Sequence, residues 1–375
     1  VLHILTGRIT MNTNISLLSS LSIYGWNDSY SNAFLPYQNQ GYIPLRINRE
    51  GRGLFWGTDG ERQLILERSG TFQNMQDLGL QPSPVVGDWC AVQAYASDRG
   101  LIEAVLPRQS GFHKPVVHEA YGIEGESFVV VANVDYGAIV MDAVHDFNLR
   151  RIERFVSLLY ADGIQPLLIL TKIDLLSEPE DYRLRVLARF ADLPVFLVDS
   201  ISAHGIEALS SYLKRGTTLM LVGLSGAGKS TLLNCLSNSM VAKTGEVRAQ
   251  DGRGRHTTTS RQLYVLPNGT ILIDTPGLRA VGMNSGSGDV SESFSDIHAL
   301  ALQCKFSDCT HTVEPGCAVQ KALLAGELEQ DRFLNFLELR GEASSFEEVL
   351  ARRKQKDKAL GKLLYHYRRG MKEYD

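Results

Sequence analysis

Continuous apolar runs alternate with amphipathic stretches through the middle of the chain. The runs FVVVANV, PLLILT, PVFLV, TLMLVG and ILIDTPG have the length and character of strands that are buried on both faces. Between them, apolar residues recur at helical spacing in Leu149–Tyr160, Asp181–Ala191 and Gly205–Arg215. This alternation of strand and helix predicts a parallel α/β domain with helices on both faces of the sheet.

A different pattern comes before this domain. Between about Tyr42 and Pro107, the short segments YIPLRI, GLFWG, QLILER, DWCAVQAY and LIEAVLP are separated by turn residues such as Asp59-Gly60. Five short strands in so few residues favour a small barrel of the OB type. A β domain that binds no ligand is an equally open alternative. If the barrel binds RNA, Phe55, Trp56 and Arg52 are the candidate contacts.

Four regions follow from these patterns. Residues 1–41 read as a Ser- and Asn-rich N-terminal extension with one short helix near Ile15–Ile23, residues 42–114 as the barrel and residues 115–289 as the α/β domain. After about Gly288 the strand pattern stops, so residues 290–375 are expected to form a helical C-terminal domain.

Composition and charge exclude several classes of protein. The 375 residues are 44% hydrophobic and 21% charged, which is ordinary for a globular chain and excludes disorder or coiled coil throughout. The net charge is −4, but residues 351–375 hold nine Lys/Arg against three Asp/Glu, so this tail carries +6 and the rest −10. The basic tail is compatible with phosphate-backbone contact or with a solvated helix, and both remain open.

Membrane and secretion signals are not evident in the sequence. No apolar run approaches the ~20 residues of a membrane helix, and the first residues lack the pattern of a signal peptide. The first methionine is Met11. Three of the five cysteines fall within fourteen positions beside a histidine, which favours metal binding over disulfides. We therefore expect a cytosolic protein.

A phosphate-binding loop is the strongest motif. Residues 223–230 read GLSGAGKS, which supplies Gly223, Gly228, Lys229 and Ser230 of G-x-x-x-x-G-K-[ST] between a strand and a helix. Glycines let several N–H groups turn toward phosphate oxygens, and the helix N-terminus adds a favourable field. Lys229 is predicted to bridge the β- and γ-phosphates, and the Ser230 hydroxyl to bind Mg²⁺.

The segment DTPG at 274–277 ends an apolar strand and is more typical of GTPases than of ATPases. Asp274 is predicted to contact Mg²⁺ through water, and the Gly277 N–H to approach the γ-phosphate. The polar loop GRGRHTTTSR lies between the two motifs, and we take Thr258, the middle of its three threonines, as a candidate Mg²⁺ ligand of a nucleotide-dependent switch.

Guanine recognition is predicted at TKID, residues 171–174, where Asp174 would accept hydrogen bonds from the base and Lys172 would pack over the base or the P-loop. This motif precedes the P-loop, whereas in ordinary GTPases it follows the P-loop. A parallel sheet tolerates such a permuted order, because the site is assembled from strand ends.

A candidate metal site lies near the C-terminus. Cys304, Cys309, His311 and Cys317 give the pattern C-x4-C-x-H-x5-C. Three thiolates and one imidazole suit a tetrahedral Zn²⁺ ion, and a closed set of four ligands indicates a structural rather than a catalytic site.

Together these motifs resemble the circularly permuted, small-subunit-dependent GTPases known as the RsgA or YjeQ family, over roughly residues 45–370. The resemblance implies a late-acting assembly factor that binds the small ribosomal subunit and its rRNA, and whose subunit-stimulated GTP hydrolysis drives release. It also implies zinc at the Cys₃His set, Mg²⁺ with GTP, and nucleotide contacts from Thr171, Lys172, Ile173, Asp174, Gly223, Leu224, Ser225, Gly226, Ala227, Gly228, Lys229, Ser230 and Thr231.

The chain departs from the family pattern at a few positions. Thr171 stands where asparagine is common, and Leu278 stands where some GTPases carry a water-orienting glutamine, so His256 becomes a candidate for that role. The last guanine-contacting loop is either Asp199-Ser200 or Ser202-Ala203. The alternative functions are a P-loop ATPase or small-molecule kinase, and a zinc-containing rRNA-binding protein with a vestigial nucleotide site. We expect a monomer, because the permuted layout needs no second subunit to complete the pocket.

Overall fold

The computed structural model describes residues 19–51, 53–114, 117–118, 123–124, 128–224, 226–238, 261–274, 294–312, 314–337 and 339–340. The chain divides into two compact units. The first comprises Val1–Leu149 and Asp162–Val281, and the second comprises Arg150–Ala161 and Gly282–Asp375. No helix within the described ranges is both long and apolar enough to cross a bilayer.

The first unit begins with residues that pack on the barrel. Helix α1 (Asp28–Gln38) is capped by the Asn27 side chain, which accepts hydrogen bonds from two backbone N–H groups of the first turn. Trp26 packs edge-on against Trp89 with ring centroids 4.7 Å apart, and Tyr30 and Phe34 complete this aromatic cluster. The predicted short helix was right only in part, because residues 19–23 are helical but α1 was not anticipated.

The predicted five-stranded barrel is present. Its strands are β1 (Ile43–Glu50), β2 (Phe55–Thr58), β3 (Gln63–Arg68), β4 (Trp89–Ala94) and β5 (Arg99–Val105), with α2 (Gly70–Asp77) after β3. The order β1-β2-β3-β5-β4 is closed by pairing of β4 with β1. Alternate residues of β1 and β3 point inward and are fully buried, among them Leu45, Ile47 and Leu66.

One sequence-based assignment is wrong. The run FVVVANV was predicted as a strand of the parallel sheet, but β9 (Phe128–Ala132) pairs antiparallel with β6 (Gly111–Lys114) in a separate two-stranded sheet. A second small pair joins β7 (Val117–His118) to β8 (Ile123–Glu124). The chain turns at Asn133, whose φ of 57° is left-handed, and the next apolar run enters the main sheet instead. Two apolar runs in succession look alike to a periodicity argument, so the sequence did not distinguish them.

The strands of the α/β sheet are β10 (Tyr136–Asp142), β11 (Gln165–Thr171), β12 (Val195–Val198), β13 (Thr218–Val222), β14 (Gln262–Val265) and β15 (Ile271–Asp274). Their order in the sheet is β12-β11-β10-β13-β15-β14, and all of them are parallel except β14. The connecting helices are α3 (Leu149–Ala161), α4 (Pro179–Leu187), α5 (Ile206–Tyr212) and α6 (Lys229–Ser237). Pairing of Arg49 in β1 with Gln262 in β14 makes barrel and sheet continuous.

The second unit holds α7 (Ser295–Ala301), α8 (Ala318–Ala325) and the helical residues 330–337 around a small apolar core of Phe294, Ile297, Val319, Leu328 and Phe333. An ionic network lies in this unit. The Arg332 guanidinium donates to Glu153 at 2.6 Å and to Asp296 at 2.7 Å, and its side chain is only 4% exposed. Asn335 donates to the other oxygen of Glu153, whose side chain is fully buried.

Replacing Arg332 by methionine is expected to destabilise the second unit by about 3–5 kcal/mol, because the buried Glu153 carboxylate would lose its ion pair with Arg332. The matched control is Arg150→Met. Arg150 pairs with Asp331, and both side chains are about half exposed, so this change should cost about 0–1 kcal/mol. Hydrogen–deuterium exchange of the amides in α7 and α8 measures both opening free energies. Equal losses in the two variants would contradict the prediction.

Candidate functional site

The predicted motifs meet at one edge of the α/β sheet. Strands β10, β11, β12, β13 and β15 are parallel, so their carboxyl ends lie at the same edge. Thr171 ends β11, Asp274 ends β15, Gly223 directly follows β13, and Lys229 begins α6. In sheets of this kind, ligands bind at the carboxyl edge. The tertiary structure therefore brings together segments that lie up to about a hundred residues apart.

The path of the P-loop depends on its glycines. Gly223 has φ of +140°, and a Cβ there would lie 2.1 Å from the Val140 carbonyl oxygen, so no other residue fits without a backbone shift. Gly228 has φ of +88° and precedes Lys229, the first residue of α6. The ammonium of Lys229 donates to the carbonyl oxygens of Gly223 at 2.7 Å and Leu224 at 2.5 Å. Gly226 is exposed, Ala227 is buried, and Ser230 and Thr231 are half-buried in the first turn of α6.

The base motif touches this loop directly. The buried Thr171 hydroxyl lies 2.9 Å from the Ala227 carbonyl oxygen and 3.2 Å from that of Met141, so it ties the P-loop to the end of β11. Lys172 has φ of 59°, and this left-handed residue turns the chain into a short 3₁₀ helix, Ile173–Leu175. Ile173 is buried, whereas Asp174 is exposed at the carboxyl edge.

The Thr171 tether gives a direct test. Thr171→Val keeps the shape of the side chain but removes the hydroxyl donor, so Ala227 loses a hydrogen bond worth about 1–2 kcal/mol. We expect the dissociation constant for GDP to rise about tenfold. Thr171→Ser, which retains a hydroxyl, should restore most of the affinity. Calorimetric titration with GDP measures both, and equal affinities of the two variants would refute a role for the hydroxyl.

Sequence reasoning missed Asp142, the last residue of β10. Its Oδ2 accepts a hydrogen bond from the Lys172 ammonium at 2.6 Å, and its Oδ1 accepts from the backbone N–H groups of Val144 and His145. Burial alone would raise the pKa of Asp142, but these hydrogen bonds outweigh burial and lower it to about 2. A carboxylate that directly follows an apolar strand was the signal available in the sequence.

Of the two candidates for the last guanine loop, Asp199-Ser200 follows β12 without an intervening residue. The Asp199 carboxylate accepts from the N–H groups of Ile201 and Ser202, and hydrogen bonds from Ser202 and Ile201 lower its pKa. Ser202 and Ala203 lie further along this turn, and Ala203 is left-handed with φ of 62°.

Several predicted site residues lie outside the described part of the chain. These are Ser225 of the P-loop, His256 and Thr258 of the threonine loop, Gly277 and Leu278. The basic tail, residues 351–375, and Arg52 also lie outside it. Asp274 is described and is half-buried at the end of β15. The antiparallel neighbour β14 starts at this same edge, since Gln262 pairs with Asp274.

The four predicted metal ligands come together in the second unit. All their ligand atoms lie within 4.8 Å of one another. The His311 Nδ1 atom is 3.6 Å from the sulfurs of Cys304 and Cys317, which are 3.9 Å apart. A tetrahedral ion with Zn–S bonds of about 2.3 Å and a Zn–N bond of about 2.0 Å sets its ligand atoms about 3.5–3.8 Å apart. The arrangement therefore fits a metal ion of this geometry.

The segment from Cys309 to Cys317 is held by hydrogen bonds among its own residues and by one from α8. The Glu314 carboxylate accepts from the N–H groups of Thr310 and Thr312, and Gln320 donates to the His311 carbonyl oxygen at 2.6 Å. Cys317 caps α8, because its sulfur accepts from the Gln320 N–H. The ligands are thus oriented by partners around them, as metal sites require.

Comparison with known proteins decides the family. The model of the RsgA GTPase family matches residues 105–284. The protein named small ribosomal subunit biogenesis GTPase RsgA from Syntrophotalea carbinolica is 37% identical over 327 residues, which cover 86% of this chain and 89% of the relative. This chain belongs to the RsgA GTPase family. The small ribosomal subunit biogenesis GTPase RsgA from Streptomyces coelicolor is 38% identical over 338 residues, which cover 88% of each chain.

Solved structures of the RsgA type agree with the fold. YjeQ from Thermotoga maritima matches with a TM-score of 0.60 at 25% identity, covering 80% of this chain and 98% of that one. The circularly permuted GTPase YloQ matches with a TM-score of 0.59 at 22% identity, covering 82% of this chain and 97% of that one. These findings confirm the predicted family, the permuted GTPase fold and the enzyme class, a GTP hydrolase.

Proposed function

We propose that this protein is a GTPase that binds the small ribosomal subunit, acts late in its assembly, and leaves it when subunit-stimulated hydrolysis converts GTP to GDP. The observation that carries the proposal is the meeting of the P-loop, TKID and Asp274 at one sheet edge, in a chain whose relatives are named for biogenesis of that subunit. The P-loop ATPase alternative leaves Asp174 without a role, and the vestigial-site alternative leaves the intact P-loop without one.

The residues take the following roles in the proposal. Backbone N–H groups of 223–231 and the Lys229 ammonium bind the phosphates, and the N-terminus of α6 adds its positive end. Ser230 and Thr258 would bind Mg²⁺ directly, and Asp274 would bind a water molecule coordinated to that ion. When bound, the ion would neutralise phosphate charge. Asp174 binds the guanine ring and Asp199-Ser200 forms the last guanine loop. Gly277 approaches the γ-phosphate, and His256 orients the attacking water.

The remaining regions complete the proposal. The proposed domains are the N-terminal extension 1–41, the barrel 42–114, the GTPase domain 115–289 and the C-terminal domain 290–375. Zinc at Cys304, Cys309, His311 and Cys317 would stabilise the C-terminal domain. The barrel and the basic tail would contact rRNA. Arg49 lies in β1, the barrel strand next to β14, and stacks on Trp56 of β2 with its guanidinium carbon 4.2 Å from the ring centroid. The protein would act as a monomer in the cytoplasm, where its partner is assembled.

GTP and ATP turnover, measured with and without purified small ribosomal subunits, tests this function. We expect slow, GTP-selective hydrolysis that rises many-fold when subunits are added. GTP turnover that is unchanged when subunits are added would mean that the protein is a GTPase with a different effector. Preference for ATP would overturn the assignment of Asp174, and with it the guanine site.

A further inference from the structure

Strand β10 carries none of the nucleotide motifs, yet its last three residues each touch one. The Val140 carbonyl oxygen lies where a side chain on Gly223 would be, the Met141 carbonyl oxygen lies 3.2 Å from the Thr171 hydroxyl, and the Asp142 carboxylate accepts from Lys172. In the sheet, Asp142 is paired with Thr171 of β11. The end of β10 therefore supports both the P-loop and the base motif.

We propose that Asp142 is a positioning residue for guanine-nucleotide binding, which acts by holding the Lys172 side chain of the TKID motif beside the P-loop. The inference rests on the proposed function and deepens it, because it adds to the guanine site a residue that belongs to none of the predicted motifs. Asp142 reaches the nucleotide only through Lys172, so it is not itself a contact residue.

The geometry makes Asp142 a fixed anchor. The residue is only 4% exposed, and its Oδ1 accepts hydrogen bonds from the backbone at 2.9 and 3.1 Å, so the carboxylate is not free to turn away. Its Oδ2 receives the Lys172 ammonium at 2.6 Å and lies 3.0 Å from the His145 Nδ1. The His145 side chain is 68% exposed, and that of Lys172 is 38% exposed.

An anchored lysine favours binding for an entropic reason. A free lysine side chain has many rotamers, and part of this conformational entropy is lost when a ligand packs against it. Here the ion pair orders Lys172 before a nucleotide arrives, so less entropy remains to be lost on binding. This matters in TKID, because the Thr171 hydroxyl makes fewer hydrogen bonds than the usual asparagine amide.

The competing explanation is that Asp142 merely caps the turn at 142–145. Asp142→Asn separates the two roles, because the amide oxygen still accepts from the backbone while the negative charge is lost. We expect this variant to raise the Kd for GDP and the KM for GTP about tenfold with kcat within twofold of wild type, since a lost ground-state contact acts on KM. In a Lys172→Met background, the same change should have no further effect.

Asp135→Asn is the matched control. Asp135 directly precedes β10, at the end opposite Asp142, and its carboxylate accepts from the Thr218 N–H at 2.7 Å, so this substitution should leave Kd and KM unchanged. Unaltered GDP affinity in Asp142→Asn, an undiminished effect in the Lys172→Met background, or a fall of kcat together with the melting temperature would each overturn the proposal. Wild-type protein without guanine preference would instead overturn the proposed function, and this inference with it.

Discussion

Lys229→Ala is expected to reduce GTP turnover by about a hundredfold to a thousandfold, because it removes the one positive side chain that the P-loop motif places at the phosphates. The loop itself should survive. Its path depends on the positive φ angles of Gly223 and Gly228, and the packing of α6 on its buried Leu232, Leu233 and Leu236. The loss should therefore appear in nucleotide affinity and turnover and not in folding. Phosphate release and GDP titration measure the two quantities.

The control for this variant is Lys214→Ala. Lys214 is an exposed lysine between α5 and β13, at the amino-terminal edge of the same sheet and so away from the P-loop. Its removal changes the net charge equally, so any difference between the variants reflects position. Comparable turnover in Lys229→Ala and Lys214→Ala would contradict the phosphate role and would favour a vestigial nucleotide site.

Cys309→Ser is expected to abolish zinc binding and to remove the protection of α7 and α8 against hydrogen exchange. In zinc-finger peptides the metal contributes about 10–16 kcal/mol of apparent binding free energy, and that energy stabilises the fold. In the described part of the second unit, the short helices α7 and α8 pack on a small apolar core, so they depend strongly on such a constraint. Metal analysis of the purified protein and exchange of residues 295–337 measure the effect.

Cys235→Ser is the matched control, since Cys235 is a free thiol in α6, outside the Cys₃His group. It should retain one zinc per chain. Strand β10 of the first unit should remain protected in both variants, because its residues are buried in the parallel sheet. Wild-type protein without zinc, or Cys309→Ser with a full equivalent, would refute the metal site.

Features that depend on neighbouring residues could be predicted from the sequence. The barrel strands, the strand and helix on either side of the P-loop, and the clustering of the Cys₃His set all arise from patterns that span fewer than twenty residues. Apolar periodicity, the φ freedom of glycine and ligand spacing act at that range, so these predictions were sound. The permuted order of the base motif, the P-loop and DTPG could also be predicted, because each motif is recognised from its own few residues.

Features that depend on distant partners could be decided only by the tertiary structure. Whether β9 or β10 enters the parallel sheet is settled by pairing with strands far along the chain, since both runs are equally apolar. Helix α1 packs its aromatic side chains into a cluster with Trp89, which lies more than fifty residues further along the chain. Asp142 gains its role because strand order sets it beside Thr171 and Lys172. Local pattern determines what each segment can become, whereas the free energy of burial and pairing over the whole chain determines which segments meet.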